Sequence, residues 1–156
     1  MVGSIPPEIS HLSKLKELQL DINNLIGSIP SEIGNLKEVE KISLGGNMLS
    51  SSIPSQFENL TSLHTLTLAA NRLSGSIPYS LGSMFVLRQL HLQNNILTGT
   101  IPTSFCNLHE DVHFYAHYNS ISGDLQCLCQ NDYELQLDNR VFDCKKEVAC
   151  DCCKCY

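Results

Sequence analysis

The chain repeats itself every 24 residues, and no other feature restricts its possible folds as strongly. The stretch LTLAANRLSGSIP at residues 66–78 recurs as LQLDINNLIGSIP, ISLGGNMLSSSIP and LHLQNNILTGTIP, and more weakly as FYAHYNSISGDLQ. One asparagine marks each copy: Asn23, Asn47, Asn71, Asn95 and Asn119. A period of roughly 20–50 residues is the signature of architectures in which each repeat stacks on its neighbours. The period therefore predicts a solenoid.

The start of each repeat has the pattern of a β-strand with one buried face. In LKELQLDIN, the apolar residues Leu18 and Leu20 alternate with Glu17, Gln19 and Asp21. A period of two is typical of a strand that turns one side to the core and the other to solvent. Because every repeat begins this way, we expect a parallel sheet that lines the inside of an arc.

The rest of the repeat predicts a turn, a second extended segment and a short helix. The asparagine amide can both donate and accept, so the stacked asparagines are expected to form a ladder that satisfies backbone groups. The glycine that follows tolerates a tight turn, and Ile-Pro restarts extended chain. Ile33 and Leu36, like Leu81 and Met84, are expected to point inward from a short helical or 3-10 turn on the convex side.

The motif LxxLxLxxNxLxGxIPxxLxxLxx over residues 2–126 resembles plant-type leucine-rich repeats. The resemblance implies an α/β solenoid, an arc of about five 24-residue repeats with a parallel inner sheet. The repeat array is expected over 1–126, with whole repeats at 15–38, 39–62, 63–86 and 87–110, partial repeats at 1–14 and 111–126, and a cysteine-rich C-terminal cap or tail at 127–156. The motif is broken where Ser51 replaces glycine, where Gln126 replaces proline, and where Asp111 replaces the first leucine.

The first residues, MVGSIPPEIS, match the middle of a repeat and lack the basic start and apolar segment of a signal peptide. We therefore expect a fragment of a larger protein or a gene model that starts late; a genuine short protein is the alternative. The first inner strand would have an unpaired edge, which favours self-association.

Charge and hydropathy narrow the classes of partner. The net charge is -6, charged residues make up 17% of the chain, and no basic cluster is present. These values argue against nucleic acid and anionic membranes as partners. No apolar run of about 18 residues occurs, so no membrane span is expected in this chain.

All eight cysteines lie in the last third of the chain. They are Cys106, Cys127, Cys129, Cys144, Cys150, Cys152, Cys153 and Cys155. An even number at the end of a repeat array indicates a disulfide-stapled cap, and repeat positions bring Cys106 close to Cys129. The other pairings stay open. The alternative is a thiophilic metal site or a redox tail, although the CxxC spacing typical of zinc sites is absent.

Disulfides would place the protein in an oxidising compartment, outside the cell or at its surface. There the Asn59-Leu60-Thr61 sequon becomes a candidate glycosylation site on the convex side.

Functional residues are expected at the strand positions whose side chains point away from the core. These are the third, fifth and seventh positions of each repeat. These are acidic in the first strand, small in the middle, and rich in His, Gln and Tyr in the last two. The candidate binding residues, which we call the concave patch, are His91, Gln93, His113, Tyr115, His117 and Tyr118.

Flat, amphipathic side chains of this kind are enriched at recognition hot spots. Strand spacing puts His113 and His117 roughly 13 Å apart, which excludes a shared metal ion. The concave patch holds no nucleophile with a carboxylate-backed histidine, so neither catalysis nor a cofactor is expected.

The resemblance implies a recognition role, since plant-type leucine-rich repeats serve as ectodomains of receptor kinases and receptor-like proteins and as secreted inhibitors. We expect a non-catalytic module that binds a protein, a peptide or a glycan through its concave or lateral face. The alternatives are a structural or ice-binding repeat protein, for which Thr65 and Thr67 give thin support, and a cysteine-rich redox or metal-binding tail.

Overall fold

The computed structural model describes residues 1–109, 111–122, 134–137 and 140–143. Within these residues, each 24-residue repeat contains in order an inner strand, a lateral strand and a 3-10 helix. The predicted solenoid is confirmed, and all the helices among the described residues are 3-10 helices.

The inner sheet lines the concave side. Its strands are β2 (Glu17–Gln19), β4 (Lys41–Ser43), β6 (Thr65–Thr67), β8 (Gln89–His91), β10 (His113–Tyr115), β12 (Glu134–Leu137) and β13 (Arg140–Asp143). From β2 to β10 each residue pairs in parallel with the residue 24 positions later, for example Leu18 with Ile42. This register keeps equivalent repeat positions side by side across the face.

Two strands of this sheet were not predicted. β12 adds to β10 in parallel, and β13 pairs with β12 in antiparallel fashion. Both fall in the segment 127–156, which the sequence predicted only as a cysteine-rich cap or tail. A signal was present, because ELQL at residues 134–137 repeats the ELQL of residues 17–20.

A second parallel sheet covers one side of the solenoid. Its strands are β1 (Val2–Gly3), β3 (Asn24–Ser28), β5 (Met48–Ser51), β7 (Arg72–Ser76), β9 (Ile96–Thr100) and β11 (Ser120–Ser122). Here each residue pairs with the one 22 positions later, as Val2 does with Asn24. Equivalent repeat positions are therefore staggered by two residues from one lateral strand to the next.

The convex side consists of 3-10 helices that each follow a proline. They are η1 (Pro7–His11), η2 (Ser31–Asn35), η3 (Ser55–Asn59), η4 (Tyr79–Ser83) and η5 (Thr103–Asn107). The preceding prolines are extended, with φ between -75° and -62°, as the pyrrolidine ring requires. The predicted inward residues of the convex side are buried: Ile33, Leu36, Leu81 and Met84 expose 3% or less.

The asparagine ladder is confirmed. The Nδ2 of Asn71 donates to the carbonyls of Leu44 at 2.9 Å and Leu68 at 3.1 Å, and its Oδ1 accepts from the Leu49 amide at 3.0 Å. Asn47 and Asn95 repeat all three bonds. Each side chain thus ties its own strand to the preceding coil.

Two positions in every repeat take left-handed backbone angles, and only one of them was expected. The expected one is the glycine of the lateral strand, which has a φ of 76° at Gly75. Ser51 occupies the same position in its own repeat and adopts a φ of 69° in spite of its side chain. The second is the residue before each ladder asparagine: Ile22, Gly46, Ala70, Asn94 and Tyr118, with φ between 52° and 66°. No single residue type occupies this position, so its left-handed backbone could not be predicted from the sequence.

Glycines on the convex side permit close approach of neighbouring helices. A Cβ at Gly34 would lie 2.5 Å from the carbonyl oxygen of Gln56. At Gly82 it would lie 2.3 Å from the Ser104 Oγ and 2.4 Å from that residue's carbonyl carbon. Real Cβ atoms do not tolerate such contacts, so an alanine there would push adjacent coils apart.

We predict that Gly82→Ala lowers the free energy of unfolding by about 1–3 kcal/mol, the usual cost of overpacking. Urea denaturation measures it. Ser83→Ala, at the exposed next residue, is the control and should change stability by less than about 0.5 kcal/mol. Equal stability of the two variants would contradict the close packing of η4 on η5.

Candidate functional site

The structure brings the concave patch together on two neighbouring strands and the turns that follow them. His91 lies on β8, while His113 and Tyr115 lie on β10. Gln93 follows β8, and His117 and Tyr118 follow β10. In the sheet register Tyr115 is opposite His91, as the repeat positions predicted, and His113 is opposite Gln89.

The His91 and Tyr115 rings stack. Their centroids are 4.7 Å apart and their planes differ by 25°. This is the cross-strand contact that two flat side chains make at adjacent positions of a parallel sheet. The pair forms a rigid, partly buried platform with one phenol and one imidazole.

A second ring pair lies one step further along the chain. The His117 and Tyr118 rings meet edge to face, with centroids 5.0 Å apart and planes at 72°. Tyr118 occupies the left-handed position, with φ of 56°, and is 53% exposed. The turn therefore directs this ring outward at the rim of the concave face.

Two buried polar atoms in the patch lack hydrogen-bond partners among the described residues. They are the Gln93 Oε1 and the His117 Nδ1. The two residues occupy the same position in successive repeats, and backbone bonds hold their coils together: Ala70 donates to the Gln93 carbonyl, and Asn94 donates to the His117 carbonyl. The unpaired atoms thus belong to neighbouring side chains.

Burial lowers the pKa of His91 below its ordinary value, and the charge of nearby His113 lowers it further. The first cause is loss of water around the imidazole, which disfavours the charged ring. His91 is therefore held in its neutral form more strongly than a solvated histidine.

In the middle of the concave face, two of the outward positions are buried. Ser43 and Gly45 were expected to point into the concavity as available positions, but both are buried. A Cβ at Gly45 would already lie 3.2 Å from the Ala69 carbonyl oxygen and 3.2 Å from the Thr67 Cγ2. The adjacent coil covers these positions, and this part of the surface offers little to a partner.

The N-terminal part of the face is largely exposed, and charged side chains beside it form exposed ion pairs. The Gln19 Nε2 donates to Glu17 at 2.6 Å. Lys16 contacts Glu38 at 3.5 Å and Glu40 at 3.3 Å, with side chains largely in solvent. Exposed pairs of this kind contribute little to stability or affinity.

The concave patch does not lie at the edge of the inner sheet. β12 follows β10, with Glu134 in register with His113 and Gln136 in register with Tyr115. The patch therefore has a further strand on its C-terminal side, a neighbour that the sequence analysis missed.

Two other predicted sites can be placed. Cys106 is disulfide-bonded. The other seven cysteines, its partner among them, lie outside the described residues, so the pairing with Cys129 stays a prediction. Asn59 ends η3 on the convex side and is exposed, and its backbone carbonyl accepts a hydrogen bond from Lys37 at 3.1 Å. Its glycosylation also stays a prediction.

Models of the leucine-rich repeat match residues 13–73 and 86–108. The chain belongs to the leucine-rich repeat family. No curated protein matches it significantly. Among solved structures, this leucine-rich repeat chain is similar to a plant ice-binding protein (33% identity, TM-score 0.81), covering 87% of this chain and 46% of that one.

It is also similar to the plant peptide hormone receptor RGFR1 in complex with RGF2 (36% identity, TM-score 0.80), covering 86% of this chain and 23% of the receptor. The BIR3–SERK2 complex from Arabidopsis thaliana matches at 33% identity and TM-score 0.68, covering 77% of this chain and 68% of the other. The leucine-rich repeat chain thus spans less than half the length of the first two. None of the helices described is long and apolar enough to cross a bilayer.

The lowered pKa of His91 predicts that acid destabilises the fold. Above about pH 6.5 the imidazole is neutral both folded and unfolded, so it contributes nothing to pH dependence. As the pH falls below that value, the unfolded chain takes up the proton first, and the folded state loses stability until its own lower pKa is passed.

We therefore expect the loss of stability between about pH 7.5 and about pH 5 to be smaller in His91→Gln than in the parent chain. Urea denaturation at both pH values measures it. His11→Gln, on η1 at the opposite end and exposed, should leave the loss unchanged. An identical pH dependence in all three proteins would contradict the assignment.

Proposed function

We propose that this chain is a non-catalytic recognition module that binds a protein or peptide through the concave patch. The observation that carries the proposal is the stacked His91–Tyr115 pair, which takes no part in the leucine core or the asparagine ladder. A rigid aromatic platform loses little conformational entropy on binding, which is what interface hot spots require.

The comparisons support a peptide-sized partner. A similar solved structure is a plant peptide hormone receptor in complex with RGF2. A standard protein interface involves some 20–30 residues on each side. The five inner strands from β2 to β10 supply fewer outward positions than that, and Ser43 and Gly45 are lost to burial. A peptide, or part of a larger footprint, fits this surface better than a whole globular partner.

The place of action proposed is the cell exterior or surface, within a larger protein. The disulfide at Cys106 supports an oxidising compartment. The likeness to a plant hormone receptor, of which this chain covers only 23%, supports a receptor-like context.

Binding energy is expected to concentrate in the concave patch. A library of random displayed peptides of about 12 residues, selected on the parent chain near pH 7.5, supplies the probe. For peptides so obtained, Tyr115→Ala and His91→Ala should each weaken binding by about 2 kcal/mol or more, roughly 30-fold.

Glu17→Ala and Lys41→Ala at the N-terminal end are the matched controls and should change affinity by less than about threefold. Titration calorimetry measures all four. If the controls weaken binding and the patch variants do not, the site lies at the N-terminal end of the face and the proposal is wrong.

Ice binding is the second candidate function. The lateral sheet supports it better than Thr65 and Thr67 of the concave face do. Ser and Thr recur on its exposed side in every described repeat: Ser28, Ser52, Ser76 and Thr100 are equivalent and all exposed. A similar solved structure is a plant ice-binding protein. Thermal hysteresis and ice-crystal shaping by the purified chain would support this function; their loss in Ser76→Lys together with Thr100→Lys would locate it on the lateral sheet, and ordinary ice growth would exclude it.

A further inference from the structure

Resting on the proposed function, we infer that the concave patch binds a peptide segment without acidic side chains while the His91 imidazole is neutral, and releases that segment on acidification. The inference names both the chemical class of the partner and the condition that regulates its binding. It follows from where His91 lies and from what surrounds it.

Among the described residues, the two strands that flank His91 place no carboxylate opposite it. On one side β6 places Thr67 opposite it in the sheet, and on the other β10 places Tyr115, whose ring stacks on the imidazole. The nearest charged group on its own strand segment is Arg88, whose guanidinium donates to the Phe85 and Leu87 carbonyls. Nothing in these contacts compensates a proton on His91.

His117, which follows β10, borders the same surface. Its Nδ1 is buried, and neither that atom nor the Gln93 Oε1 has a hydrogen-bond partner among the described residues. Its ring meets the ring of Tyr118 edge to face. Asp111, the described carboxylate on the approach to β10, is 75% exposed and lies against His109 at 3.4 Å.

His113 enters the inference only through its effect on His91. When His113 carries a proton, its positive charge disfavours a second charge on His91.

Covering such a surface has a definite consequence for pH dependence. A partner that removes water from His91 without supplying a carboxylate makes protonation of this ring still less favourable. By linkage, protons then compete with the partner, and affinity falls as the pH falls. A partner that supplied a carboxylate would show the opposite sign.

The charge of the protein favours the non-acidic class of partner. The chain carries a net charge of -6. Aromatic faces such as Tyr115 and Tyr118 attract neutral or cationic groups, and they accept Lys and Arg side chains by cation–π contact. Acidic peptides would gain affinity only after the His91 imidazole becomes charged.

The test uses the displayed random peptides selected near pH 7.5 on the full chain, restricted to those that lose binding in Tyr115→Ala. We expect these peptides to be depleted in Asp and Glu. Their affinity should fall about tenfold between about pH 7.5 and about pH 5, because one fully linked proton changes the affinity about tenfold per pH unit and the lowered pKa of His91 confines the linkage to the acid part of this range. Circular dichroism at both pH values verifies that the protein stays folded.

Two variants separate the inference from a general effect of acid. In His91→Gln the ratio of affinities at the two pH values should shrink to within about threefold, whereas His11→Gln, far from the patch, should leave it unchanged. Asp- and Glu-rich binders, or affinity that rises on acidification, would overturn the inference while leaving the proposed function intact. Absence of any Tyr115-dependent binder would overturn both.

Discussion

The structure depends on the asparagine ladder. A solenoid has no single central core, so each coil must be fixed to the next by contacts that recur at every repeat. The buried asparagine does this with one side chain, since its amide donates to carbonyls of two successive coils and accepts from the amide that begins a lateral strand. Leucines fill the space between the sheets, and their alternation sets which face of each strand is buried. The asparagine bonds fix each coil to the next.

The ladder also explains why the concave face is free for recognition. Because leucine and asparagine positions carry the scaffold, the outward positions of β8 and β10 are not needed for packing, and the in-register stacking of repeats brings His91 against Tyr115. The staggered lateral sheet serves a different purpose, since its exposed side is a repeating array of Ser and Thr hydroxyls. Recognition by the concave face and ice binding by the lateral sheet are thus alternative functions that would use two different surfaces of one scaffold.

A feature could be predicted from the sequence when the same residue type recurs at the same position of every repeat. The ladder of Asn71 and its equivalents and the proline before each 3-10 helix are of this kind. The left-handed residue before each asparagine could not, because Ile22, Ala70 and Tyr118 share no chemistry and the turn imposes their backbone angles. The burial of Ser43 could not be predicted either, because the period of two places this residue on the outward face of its strand. In the patch, repeat positions predicted that His91 and Tyr115 are neighbours, but not their stacking or the strand β12 beside them.

The most direct test of the ladder's role is the free energy of unfolding of Asn71→Ala, measured by urea denaturation beside Asn23→Ala. Asn71 is buried in the middle of the ladder, and its loss leaves at least two buried carbonyls and one amide without their partner, at about 1–3 kcal/mol each. Asn23 is only partly buried, at the end of the array, and its Nδ2 bonds only to carbonyls of its own repeat. A loss of about 3 kcal/mol or more for Asn71→Ala, against about 1 kcal/mol for Asn23→Ala, is the predicted result; small and equal losses would contradict the dependence of the fold on this interaction.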